Sequence, residues 1–275
     1  IQSEYSWIWN GRSIQIELTH LASPFFTFKE YLKYRSQALN AHDLHSPFVF
    51  ELYNEVIRKR AKTQESALRK LRQKITSSDL TVDYQDPKTG GNHRSTVKKL
   101  SRRVASSHSF SYFLFKLINH QKYQTVLETG TSIGLNTLYM AQSMASSVWT
   151  LEGSPQIANI AKRHFEKLGL SHIHQVIGDV RDTFVSTLSA SQPALIFLDA
   201  DHRSDTIAFY LDAIRKHSPD TQCIVVHDIY WSQDMKNSWS AIVKNSAYPL
   251  TIDIFHAGII FPHHPIKKQH FVLKF

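Results

Sequence analysis

The clearest order in the chain begins near residue 104, where short apolar runs alternate with helix-length segments. The runs cover residues 125–127, 148–151, 173–177, 194–198 and 223–226, and several are rich in β-branched side chains. Between them lie candidate helices at 135–146, 155–168, 181–189, 204–217 and 233–245. This alternation predicts a parallel sheet with helices on both faces. Three more strand-like runs close the chain, at 250–255, 258–261 and 269–275, without a helix-length spacer. A parallel crossover needs a dozen or more residues, so all three are expected as antiparallel additions. The predicted fold is therefore α/β: a Rossmann-like, mostly parallel sheet with an antiparallel C-terminal edge, plus a helical N-terminal region.

The first hundred residues obey other rules. Residues 1–30 are aromatic-rich and irregular, with Trp7 and Trp9 close together and Pro24 expected to break any helix. From residue 28 to about 57 apolar residues recur at helical spacing. Ser46-Pro47 interrupts them, a pair that fits a helix start with Pro at its first position. The segment 58–74 continues that helix or begins another, and residues 77–95, with Pro87, Gly90 and Gly91, read as a flexible loop.

Charge sharpens the division. The formal net charge is +9, and residues 1–103 hold 18 Lys and Arg against 10 Asp and Glu, whereas residues 104–275 hold 14 against 13. Two regions are expected: a basic, helical cap over 1–103 and a main domain over 104–275. Between Arg58 and Lys74 eight basic residues face one acid, Glu65. Such a stripe suits a phosphate-rich partner such as RNA, and equally suits a solvated helix face that meets no ligand.

Composition removes whole classes. Of 275 residues, 42% are apolar and 20% charged, which excludes a disordered or fibrous chain. A single cysteine, Cys223, excludes a disulfide framework and a Cys-based zinc site. The longest charge-free apolar stretch near the start, 18–28, is about half of what a bilayer crossing needs. No membrane association and no secretory signal are expected, and the location read from these features is cytoplasmic. A homodimer is compatible with the sequence. The first residue is Ile, so the true start is expected to lie upstream.

The most informative feature is the acid at the end of each strand. The five runs end in Glu128, Glu152, Asp179, Asp199 and Asp228. In open α/β sheets the ligand lies outside the carboxyl ends of the strands, so these acids line one edge. Any one of them has a dull explanation as a helix N-cap, but five in succession suit a cationic ligand rich in hydroxyls and amines. The first loop, Glu128-Thr-Gly130-Thr131-Ser132-Ile-Gly134, misses the dinucleotide pattern at its second and third glycines and sets a carboxylate where a pyrophosphate would lie. Gly130-x-Ser132-x-Gly134 also fits a nucleophile elbow, without the chain context a hydrolase needs.

At this point the residues resemble class I S-adenosylmethionine-dependent methyltransferases of the O-methyltransferase type. The run 126–135 looks like motif I in its E-x-G-T-S-x-G form, 149–155 like motif II, and 177–180 like motif III. Residues 195–202, ending Asp199-Ala-Asp201-His202, look like the D-x-D-H segment of small-molecule O-methyltransferases, and His227-Asp228 like the pair after strand five. The resemblance covers about residues 104–262. It implies S-adenosyl-L-methionine as cofactor, held by Glu128, Gly130, Thr131, Ser132, Gly134, Glu152, Gly153, Asp179, Val180 and Asp199. Within it Glu128 faces the methionine ammonium, Glu152 accepts from both ribose hydroxyls, and Asp179 meets the adenine amine. The glycines let the backbone approach the cofactor.

The same resemblance places the reaction at Asp199, His202 and Asp228, with Tyr230 and Trp231 as acceptor contacts. Asp199 and Asp228 end neighbouring strands and should approach each other, and His202 reaches over the same point. A histidine of ordinary pKa serves as a general base toward a hydroxyl near neutral pH. Metal-dependent relatives hold a divalent cation at the positions of Asp199 and Asp228. Here an imidazole, His227, replaces one oxygen ligand, which disfavours Mg²⁺ and leaves the metal open. His172, His174, His263 and His264 lack matching carboxylates and read as surface residues. Three functions are open: O-methylation of a small-molecule hydroxyl, methylation of RNA docked on the basic region, or a non-catalytic module that binds S-adenosylmethionine. The first is the leading expectation.

Overall fold

The structure is a computed structural model that describes residues 7–9, 12–14, 24–59, 62–85 and 91–275. The expected irregular start thus lies partly outside the described residues. Within it, β1 (Trp7–Trp9) and β2 (Arg12–Ile14) pair as a short antiparallel ribbon. Pro24 does not break a helix but begins one, α1 (Pro24–Gln37). At the first position of a helix the missing N–H would have had no intrahelical partner. α2 (Pro47–Leu52) starts as the sequence implied, its N-cap Ser46 Oγ accepting from the Val49 N–H, and runs into a π-helical turn, Tyr53–Arg58.

The basic stretch forms a separate helix, α3 (Lys62–Thr76). Its basic side chains are not all solvent-facing. The Arg72 guanidinium turns inward and donates to Ser106 O and to Ser111 Oγ. Of the loop expected over 77–95, residues 86–90 lie outside the described residues, while β3 (Thr81–Gln85) and β4 (Asn92–Thr96) pair as antiparallel strands, followed by α4 (Val97–Val104) and α5 (His108–Gln121). The reason is period-two patterning hidden among polar residues: Val82 and Tyr84 share one face and pack against the cluster of Ile75, Val97 and Leu100.

The regular half keeps to the expected alternation. It comprises β5 (Thr125–Thr129), α6 (Leu135–Ala141), β6 (Ser147–Glu152), α7 (Pro155–Lys167), β7 (Ile173–Ile177), α8 (Val180–Ser191), β8 (Leu195–Leu198), α9 (Ser204–His217), β9 (Cys223–His227) and α10 (Gln233–Lys244). The chain then adds β10 (Leu250–Asp253), β11 (Ala257–Phe261) and β12 (Gln269–Val272). Together they form one eight-stranded sheet in the order β12-β10-β11-β9-β8-β5-β6-β7. β11 is the antiparallel member, paired with β9 on one side and β10 on the other. β12, however, pairs parallel with β10. The dozen-residue rule governs consecutive parallel strands. Here β11 and its turns lie between β10 and β12 and return the chain to the same end of the sheet.

Alternation along the strands divides the core. Val126, Phe197, Val225 and Ile259 point to one face, where α5 and the segment Leu44 to Ile57 cover them. Leu127, Ile196, Val226 and Ile260 point to the other, under α8, α9 and α10. The α2 region therefore belongs to the same core as the sheet. Chain start and chain end are also sewn together, because the Tyr34 hydroxyl donates to Leu273 O and accepts from the Phe275 N–H. No helix among the described residues is long and apolar enough to cross a membrane.

Candidate active site

Glu128 lies at the carboxyl end of β5, with none of its surface exposed. Its Oε2 accepts from the hydroxyls of Thr150, at 2.7 Å, and Thr137. Its Oε1 is buried and has no hydrogen-bond partner. Burial pushes this carboxyl up to about 8, and the nearby charges of Asp199 and Glu152 push the same way against the two threonine hydroxyls. A buried carboxylate oxygen without a partner is costly, and a cationic N–H donor relieves that cost.

The loop after β5 turns through three left-handed residues, Gly130 (φ +88°), Ser132 (φ +50°) and Gly134 (φ +81°). The protein's own packing demands glycine at two of these positions. A Cβ on Gly130 would stand 3.0 Å from the Asp199 carbonyl oxygen, and one on Gly134 would stand 2.8 Å from the Phe165 ring of α7. The loop is held from β6. Ser132 N–H donates to Glu152 Oε2 at 2.8 Å, Ser154 N–H donates to Oε1 at 2.9 Å, and the Thr131 and Thr150 hydroxyls meet at 2.6 Å. Each Glu152 oxygen keeps free lone pairs, since a carboxylate offers about four acceptor sites. Gly153 lies between these two anchors, half-buried. Asp179 is exposed, with its Oδ1 accepting from the Arg181 N–H, and it caps α8 at Val180. The acceptor set thus fits S-adenosylmethionine: a partnerless buried carboxyl oxygen for an ammonium group and a carboxylate with spare acceptor capacity for hydroxyls.

A second cluster gathers at the ends of β8 and β9. His227 Nδ1 is 2.7 Å from Asp199 Oδ1 and 3.6 Å from Asp228 Oδ2. Burial opposes a charge on this imidazole, but the Asp199 carboxylate outweighs it, with help from Asp228, and His227 is pushed up to about 9. Asp228 has a left-handed backbone (φ +52°), held by its N–H donating to His256 O at 2.8 Å. His202 Nε2 lies 3.7 Å from Asp228 Oδ2, and the Trp231 ring, 40% exposed, has its centroid 5.4 Å from that of His202. Tyr230 is arranged differently from the sequence expectation. Its hydroxyl donates inward to Asp253 Oδ2 at 2.6 Å, and its ring stacks on Phe255.

These residues do not fit a divalent cation. The Asp199 oxygen that would serve a metal already receives His227 Nδ1. Among the described residues no group of three or more His, Cys, Asp or Glu side chains is arranged to hold a metal ion. From the sequence His227 stands out only as an imidazole in place of an oxygen ligand; its contact with Asp199 joins residues 28 positions apart and leaves no local signal.

Residues 127–229 match a family model described as a methyltransferase domain. A catechol O-methyltransferase of Mycobacterium tuberculosis is 32% identical over 116 residues, which are 41% of this chain and 52% of that protein. A protein-L-isoaspartate O-methyltransferase of Pyrococcus horikoshii is 35% identical over 54 residues, 20% of this chain and 24% of that protein. The chain spans about half the length of the first of these relatives and about a quarter of the second. Among solved structures, an S-adenosylhomocysteine-bound methyltransferase of Podospora anserina aligns with a TM-score of 0.52 at 16% identity, over 74% of this chain and 97% of that one. A Bacillus cereus O-methyltransferase in complex with S-adenosylhomocysteine aligns with a TM-score of 0.51 at 19% identity, over 76% and 93%. The fold is that of class I methyltransferases.

Proposed function

We propose that this chain, with its class I methyltransferase fold, transfers a methyl group from S-adenosylmethionine to a hydroxyl of a small acceptor molecule. The observation that carries the reading is the edge at β5 to β7, where Glu128, Glu152 and Asp179 stand in a row and one Glu128 oxygen is buried without a partner. The catechol O-methyltransferase relative supports a hydroxylated acceptor.

When bound, S-adenosylmethionine supplies an electrophilic methyl group on a positively charged sulfur. Glu128 Oε1 would hold the ammonium group of the cofactor, Glu152 the ribose hydroxyls, and Asp179, beside Val180, the adenine amine. His202 and Asp228 act on the acceptor. The 3.7 Å between His202 Nε2 and Asp228 Oδ2 is too long for a direct hydrogen bond. An acceptor hydroxyl about 2.8 Å from His202 Nε2 donates its single proton there, beside the Asp228 carboxylate. His202 takes the hydroxyl proton at Nε2, and Asp228 stabilises the imidazolium that results. Trp231 covers the acceptor and limits water there, and the fixed strand ends hold the reacting groups in line.

Turnover is measured as S-adenosylhomocysteine formed from S-adenosylmethionine and a panel of hydroxylated aromatic acceptors. His202→Ala is expected to lose roughly 10²–10⁴-fold in turnover, the usual contribution of a positioned base, while cofactor affinity is kept. Full turnover in that variant removes His202 from the chemistry. Absence of turnover with every acceptor, together with absence of cofactor binding, overturns the whole reading.

A further inference from the structure

The two carboxylates at which the sequence resemblance would place a cation already face an imidazole of the protein itself. His227 is the last residue of β9 and is 8% exposed. Its Nδ1 stands between oxygens carried by neighbouring strand ends, 2.7 Å from Asp199 Oδ1 and 3.6 Å from Asp228 Oδ2. The ring is wedged, with its centroid 4.5 Å from that of Phe110 in α5 and 5.8 Å from that of Phe197 in β8. Interiors packed to crystal-like density leave such a ring little room to swing aside.

Two carboxylates this close repel each other unless a positive group or a donor lies between them. In an all-oxygen site a divalent cation does this. Here the donor is a side chain, fixed by packing and by a 2.7 Å contact to Asp199. We infer that His227 is the built-in substitute for a divalent cation at this reaction centre. It is a positioning residue: hydrogen-bonded to Asp199 and facing Asp228 across 3.6 Å, it offsets the repulsion between the two carboxylates and lets Asp228 stay within reach of His202 and of the acceptor hydroxyl. The inference rests on the methyl-transfer reading of the same site.

The substitution His227→Asp tests it, because it restores three neighbouring carboxylates of the kind that hold hard cations. Mn²⁺ is titrated calorimetrically into chelator-treated wild type and variant, and the melting temperature of each is recorded with and without Mn²⁺. S-adenosylmethionine affinity is measured on the same samples. The wild type is expected to bind no Mn²⁺ up to about 1 mM and to keep its turnover in chelator. His227→Asp is expected to bind Mn²⁺ at least about tenfold more tightly than the wild type and to melt higher in its presence. If His227→Asp does not fold, His227→Asn serves instead. It is expected to lose about tenfold or more in kcat with S-adenosylmethionine affinity within about twofold, a split that a merely structural role would not produce. Mn²⁺ binding by the wild type, with turnover lost to chelator, overturns the inference. So does a folded His227→Asp variant that binds Mn²⁺ no better than wild type, or a His227→Asn variant with unchanged kcat. If S-adenosylmethionine binds none of these proteins the methyl-transfer reading fails, whereas the Mn²⁺ titration still decides the role of His227.

Discussion

Replacement of Glu128 by Gln isolates the group that we assign to the ammonium of the cofactor. The side chain keeps its shape, and the amide oxygen accepts from Thr137 and Thr150 as Oε2 does now. What disappears is the ability to ionise. A hydrogen bond to a charged group contributes about 1.5–3 kcal/mol and a neutral one about 0.5–1.5, so the change costs about 1–2 kcal/mol, or roughly 5–30-fold in affinity. That loss depends on pH, because burial holds the wild-type carboxyl near 8. Below that value the carboxyl is protonated in the free protein and must give up its proton to meet a cation. For a group titrating at about 8, the ionised fraction rises roughly 25-fold between about pH 6.5 and 8.5. The amine of the cofactor titrates in the same range, so the quantity to measure is the ratio of wild-type to Glu128→Gln affinity by calorimetry. The ratio should be about 5–30 near pH 8.5 and should collapse toward about 1 near pH 6.5. A ratio that does not change with pH refutes the assignment of Glu128, as does an unaltered affinity in the variant at the higher pH.

Two further substitutions probe how the site is supported. Glu152→Ala leaves the N–H groups of Ser132 and Ser154 without their buried partner. It should lower the melting temperature of the free protein, at about 1–3 kcal/mol per abandoned donor, and weaken S-adenosylmethionine binding as well; an unchanged melting temperature would mean that water replaces the carboxylate. Gly258→Ala sets a Cβ about 2.3 Å from the Trp239 ring that packs on β11. Overpacking of this kind costs about 1–3 kcal/mol or more and should show in chemical denaturation, with equal stability as the contrary result.

The parts of this molecule that depend on period and order were legible in the chain. Val126 and Leu127, or Ile196 and Phe197, point to opposite faces of a sheet buried on both sides, and such strands read as continuous apolar runs bounded by helices. The acids come after those strands by necessity of position, so Glu128, Glu152, Asp179, Asp199 and Asp228 fall on one edge once the sheet is parallel. The features that stayed hidden depend on pairing across the chain. The β3–β4 pair shows only Val82 and Tyr84 as its inward face amid polar residues. The parallel docking of β12 on β10 depends on where β11 inserts, which no local pattern encodes. Pro24 has two local meanings, helix start or helix end, and the residue type alone does not choose between them. The packing that requires Gly130 and Gly134 was hidden too, because their neighbours, Asp199 and Phe165, come from distant elements.

The central claim is that the strand edge of this sheet holds S-adenosylmethionine through its acids. A crystal structure of the protein with S-adenosylhomocysteine tests it directly. The amino group of the product is expected at Glu128 Oε1, the ribose hydroxyls on Glu152, the adenine beside Asp179, and the sulfur facing the gap between His202 and Asp228. Product bound elsewhere, or an amino group that leaves Glu128 Oε1 without a partner, would contradict it.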